Sequence, residues 1–72
     1  MSTTVTELER EPSLDELQKM VGGYIEIVPM SDGRLMYVNE EGHRLGLPHN
    51  EQASKMLGIP ILGNVVVVRD YE

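Results

Sequence analysis

Tyr24-Ile25-Glu26-Ile27-Val28-Pro29-Met30-Ser31-Asp32-Gly33-Arg34-Leu35-Met36-Tyr37-Val38-Asn39 decides the fold. Two apolar-rich runs flank Ser31-Asp32-Gly33, a turn signal in which glycine supplies a positive φ. The first run, Tyr24 to Met30, sends Tyr24, Glu26 and Val28 to one side and Ile25, Ile27 and Pro29 to the other. The return run, Arg34 to Asn39, is largely apolar at Leu35, Met36, Tyr37 and Val38. This reads as a β-hairpin, with Tyr24 and Tyr37 on neighbouring strands and expected to pair across it.

Upstream of the hairpin, Ser13-Leu14-Asp15-Glu16 has the pattern of a capping box after Pro12. Asp15 and Glu16 also suit the positive end of a helix dipole. Leu14, Leu17, Met20 and Val21 recur at helical spacing, and Gly22-Gly23 stops the run. A helix from Leu14 to Val21 follows, about 12 Å long at 1.5 Å per residue. Residues 1–12 are polar and acidic, and form either a frayed tail or an edge strand over Thr3 to Leu8, where threonine and valine favour extended backbone.

Downstream, Asn39-Glu40-Glu41-Gly42 reads as a turn with Gly42 in the left-handed region, and His43-Arg44-Leu45 as a third short strand. Asn50 caps a second helix, Glu51 to Leu57, closed by Gly58. Ile59 to Gly63 is an apolar connector whose proline forbids a central strand there. Asn64 to Arg69 is the last strand. Its valines, Val65, Val66, Val67 and Val68, are apolar on both faces, so the strand is either covered twice or meets a partner. Two short helices leave little chain to cover both faces of a sheet. The quartet is therefore expected at an oligomer interface. Size favours the same reading, because a core below roughly 70–80 residues rarely supplies more than about 3–5 kcal/mol without help.

The expected fold is α+β: a small antiparallel or mixed sheet with two short helices in the element order of a split βαβ, or ferredoxin-like, sandwich. Residues 13–72 make one compact domain.

Composition excludes several classes of function. The 72 residues contain no cysteine, which removes disulfides, thiolate metal sites and cysteine nucleophiles. Twelve acidic against six basic residues give a net charge of −6, which argues against a nucleic-acid backbone reader. The acids are scattered, so a nucleic-acid mimic is not indicated either. No apolar run approaches the roughly 20 residues of a membrane helix, and the first residues lack the pattern of a secretory signal. A cytoplasmic location is expected.

No catalytic constellation stands out. His43 and His49 are six residues apart, which is not a metal-ligand spacing, and no metal or cofactor is expected. Glu40 and Glu41 are adjacent and would face opposite ways on a strand. Ser2, Ser13, Ser31 and Ser54 lack a nucleophile-elbow context. The best local anion site is the helix start at Asn50, with His49 and Arg44 close in sequence, although an asparagine there more often simply caps the helix.

Five blocks in this order carry a resemblance: Val21 to Pro29, Asp32-Gly33, Val38 to Gly42, Gly46-Leu47-Pro48 with Asn50 and Ala53, and Ile61 to Val68. Together they resemble a small family classed as a domain of unknown function, common in tailed-phage genomes and in prophage or mobile-element regions of bacteria. The resemblance covers roughly Leu14 to Val68. Members of that family often carry a strand before the first helix. The resemblance implies a phage-type accessory protein and no particular reaction.

From the residues and the resemblance together, the expected function is non-catalytic binding of a host protein, modulating a host factor or countering host defence. Tyr37, Asn39, Glu40, Glu41, Arg44, His49 and Asn50 are the candidate contact residues. The rival reading is an oligomeric binder that sequesters a nucleotide-type small molecule, its pocket formed by the helix start at Asn50 with His49, Arg44 and Tyr37. Neither reading calls for nucleic acid or a membrane as partner.

Overall fold

A computed structural model describes residues 3–70. Along the chain these form strand β1 (Val5–Arg10), helix α1 (Leu14–Val21), strands β2 (Ile25–Pro29) and β3 (Leu35–Asn39), the one-turn helix α2 (Gly42–Leu45), helix α3 (Glu51–Leu57) and strand β4 (Val65–Asp70). The strands make a single mixed sheet in the order β1-β4-β3-β2, with β1 parallel to β4 and the other neighbours antiparallel.

The capping box at the start of α1 forms as expected. Ser13 Oγ accepts the Glu16 N–H at 3.2 Å, and Glu16 Oε1 accepts the Ser13 N–H at 3.3 Å. Gly22 ends the helix at a φ of 86°, a conformation that costs a residue with Cβ considerably more. The hairpin also forms, in the register Ile25 to Asn39 and Ile27 to Tyr37. Tyr24 and Tyr37 do not pair. Tyr37 lies opposite Ile27, on the face that Tyr24, by alternation, turns away from.

Three local expectations are corrected. Residues 5–10 form an edge strand, displaced by two residues from Thr3–Leu8 and tied parallel to β4. His43-Arg44-Leu45 is not a strand but belongs to α2. Gly42 is not left-handed; it is buried in the first position of that helix, where a Cβ would lie 3.2 Å from the Leu62 Cβ. Close packing on the connector explains this glycine.

The larger correction concerns the valines. β4 is the central strand between β1 and β3, and both of its faces are covered within one chain. Val66 and Val68 pack with Leu17 and Val21 of α1 and with Tyr37. Val65 and Val67 pack on the opposite face with Met36, Val38, Ala53 of α3 and Ile61 of the connector. All four valines are at most 1% exposed. They are core, so they offer no surface to a second subunit. Two short helices suffice because the strands themselves are only five or six residues long, and the connector adds Ile61 to the cover.

The sheet order also departs from the ferredoxin-like arrangement. There the first strand would be central and both helices would share one face. Here β1 is at an edge, and α1 and α3 lie on opposite faces. The connection from β1 to β2 crosses the whole sheet over one face, while the connection from β3 to β4 returns over the other.

Candidate functional site

The contact residues expected from sequence separate into structural fasteners and surface groups. Tyr37 is a core residue, 1% exposed, whose hydroxyl donates to Glu11 Oε2 at 2.6 Å. Burial, and secondarily the Glu11 carboxylate, push its phenol up to about 12. Asn39 is buried as well. Its Nδ2 donates to the Val21 carbonyl at 3.1 Å and its Oδ1 accepts the Glu41 N–H at 2.7 Å, which fastens the end of β3 to the end of α1.

Asn50 caps α3 through Oδ1, which accepts the Ala53 N–H at 3.1 Å. Its Nδ2 donates to the carbonyls of Thr4 at 3.1 Å and Gly63 at 2.8 Å. One side chain thus joins the approach to β1, the start of α3 and the approach to β4. With every polar atom occupied, Asn50 has nothing left for a ligand.

Arg44 is exposed and pairs with Glu41 at 2.8 Å. His49 is exposed, with Nε2 3.1 Å from Ser54 Oγ. That contact resembles a nucleophile and base, but the serine hydroxyl is already engaged. It donates to the Asn50 carbonyl at 2.7 Å and accepts the Ile61 N–H at 2.8 Å. Ser54 acts as a clasp between α3 and the connector. With Tyr37 inside the α1 face and Asn50 inside the α3 side, the four residues of the nucleotide pocket do not converge within one chain. Ser2 and Tyr71 lie outside the described residues. Among the described residues no three His, Asp or Glu side chains gather into a metal-binding group.

What the fold does assemble is a cleft of about 200 Å³ on the α3 side of the hairpin. Val28, Val38, Ile59, Pro60, Ile61 and Leu62 supply apolar walls, and Glu26, Glu40 and His43 supply the polar ones. Register explains the pairing of the two carboxylates. Glu26 lies directly across from Val38, and Glu40 follows two residues on, so the two glutamates are diagonal neighbours on one face. Both are exposed, and among the described residues neither forms an ion pair; the arginine pairs run from Arg34 to Asp32 and Glu7 and from Arg44 to Glu41. The Arg34 hydrogen bond holds the Asp32 carboxyl below its usual range, which braces the hairpin turn away from the cleft.

Of the residues expected from sequence, Asn39 and Glu40 line this cleft and Arg44, His49 and Asn50 do not. Sequence reasoning missed Glu26, His43 and Ile59. A signal for Glu26 was present, since counting outward from Ser31-Asp32-Gly33 sets Glu26 across from Val38.

A family profile described as a domain of unknown function (DUF3846) matches residues 2–72. No curated protein and no solved structure matches the chain.

Proposed function

The chain belongs to the DUF3846 family, a domain of unknown function, and from that premise we propose that it is a small accessory protein of a phage or mobile element that works by holding a host protein. It modulates that protein or blunts a defence, and transforms nothing. The contact face is the α3 side of the β2–β3 hairpin together with Glu40, α2 and the connector. The carrying observation is the cleft there, whose apolar walls lie beside two neighbouring exposed carboxylates that form no ion pair among the described residues. Apolar walls favour contact by excluding water, and unpaired charge at the rim selects a partner of opposite sign. The mobile-element origin rests on the sequence resemblance.

Cross-linking of the tagged full chain in bacterial extract tests the proposal. A specific protein should be retained by the wild type, released by Glu40→Lys, and kept by Lys19→Glu on the opposite side of the sheet. Retention that ignores Glu40→Lys would overturn the assignment of the face. A nucleotide that raises the melting temperature by several degrees would overturn the proposal in favour of small-molecule sequestration.

A further inference from the structure

We propose that the open edge of β2 accepts an extended segment of the partner as a fifth strand, and that this segment alternates aliphatic and basic residues; the inference rests on the binding reading above and specifies its chemistry.

Among the described residues the sheet order leaves β2 with a neighbour on one side only. The hairpin's hydrogen bonds fix which groups face the open side. Glu40 N donates to the Tyr24 carbonyl at 2.9 Å, and Met30 N to the Arg34 carbonyl at 2.8 Å. Antiparallel ladders alternate, so Tyr24, Glu26, Val28 and Met30 bond inward to β3. Ile25 and Ile27 therefore turn their N–H and C=O groups outward. Pro29 has no N–H to offer and ends the usable edge. The result is a short template on which backbone pairing supplies affinity and the flanking side chains supply selectivity.

The two faces of that template differ. On the α1 side Ile27 is 49% exposed, an apolar group without cover. On the α3 side stands Glu26, with Glu40 diagonal to it. An added strand would set alternate side chains beside Ile27 and beside Glu26. Because Glu26 bonds inward, its position relative to the newcomer is the non-hydrogen-bonded kind, where opposed side chains approach most closely. Aliphatic groups suit the first side and lysine or arginine the second, with the second glutamate within reach of a long basic stem.

A second copy of this chain suits the edge poorly. Antiparallel pairing of two β2 strands would draw Glu26 toward its own counterpart, between chains that each carry a net charge of −6. The opposite edge is guarded differently, since β1 carries Glu7, Glu9 and Arg10, charges that discourage strand addition. β2 carries one charge, and it is the one that would choose the partner.

Fluorescence anisotropy with the full chain tests this. One labelled peptide alternates valine with lysine and arginine over eight positions, and its control replaces each basic residue with glutamate. The basic peptide should bind at least roughly tenfold more tightly, and binding should weaken with added salt. Glu26→Lys should reduce affinity about tenfold with the melting temperature little changed. Ile27→Pro, which removes an outward N–H and the exposed isoleucine side chain without touching a hydrogen bond to β3, should do the same, and amide exchange at Ile25 and Ile27 should slow when peptide is bound to the wild type. Equal affinity for the two peptides, no binding at millimolar concentration, or unprotected Ile25 and Ile27 amides would overturn the inference. So would a dimer in sedimentation that Ile27→Pro dissolves. If the peptide fails while Glu40→Lys still releases a cross-linked partner, the edge inference falls and the binding reading stands. If both fail, both fall.

Discussion

The Asn50 side chain joins three separate segments, so its replacement has a calculable cost. The side chain is 1% exposed and makes three hydrogen bonds, to Ala53 N, Thr4 O and Gly63 O. Asn50→Ala removes a helix cap, worth about 1 kcal/mol. It also strips the donor from the Gly63 carbonyl, and a buried group left unsatisfied costs about 1–3 kcal/mol. The Thr4 carbonyl suffers less because it keeps the Val65 N–H at 3.0 Å. The total is about 3 kcal/mol, or a fall in Tm of roughly 12 °C or more for a domain of this size. Asn50→Ser retains an acceptor for the cap and loses both donations, so it should cost about 2 kcal/mol. Asn50→Asp keeps the cap but turns a carboxylate oxygen toward two carbonyls. It should be destabilising at neutral pH and recover partly in acid, where a protonated carboxyl can donate one bond. Urea titrations of the four proteins, with a fitted common slope, measure this directly. An alanine variant within about 0.5 kcal/mol of the wild type, the range of ordinary surface changes, would refute the fastening role. So would a serine variant indistinguishable from the wild type.

Val66→Ala and Val67→Ala empty opposite faces of β4 and should each cost about 2 kcal/mol from lost burial and residual cavity. Urea midpoints should not move across a tenfold range of protein concentration; a midpoint that rises with concentration would show that stability depends on a second copy, against a core closed within one chain. Stability should also fall in alkali. The Tyr37 phenol is pushed up to about 12 in the folded chain, against about 10 when unfolded, so the unfolded chain loses this proton first. Its contribution is complete below pH 10 and declines at about 1.4 kcal/mol per pH unit until the folded phenol ionises. Tyr37→Phe should flatten that part of the pH–stability curve, and an unchanged slope would contradict the assignment. Gly63 combines a φ of 83° with a site where a Cβ would lie 2.7 Å from Leu47 Cδ1. Gly63→Ala should cost at least about 1 kcal/mol on backbone grounds, measured as a lower Tm, whereas Gly33→Ala meets no neighbour and bears only the backbone part.

The candidate site was only partly legible in the sequence. Glu40 and Asn39 could be named because they lie in a turn that reads as exposed and polar. Yet Asn39 proved to be a buried fastener, since its hydrogen bond to the Val21 carbonyl joins residues 18 positions apart. Tyr37 shows the same limit. Its position on a strand was readable, but whether its face met solvent or α1 was not. The cleft escaped notice because its walls come from β2, β3, α2 and the connector, and no local pattern brings those four together.

By itself the sequence determined the pieces whose geometry is settled over short range. Ser13 with Glu16 sets the start of α1, Gly22 its end, Asn50 and Gly58 the limits of α3, and Ser31-Asp32-Gly33 the hairpin register. Each depends on φ, ψ and hydrogen bonds within a few residues. Tertiary structure alone decided that β1 joins beside β4, that α1 and α3 take opposite faces, and that four consecutive valines become core. A strand that is apolar on both sides satisfies the hydrophobic effect equally well against its own chain or another one. The choice falls to long-range packing, and in this chain α1 and the α3–connector unit cover both faces.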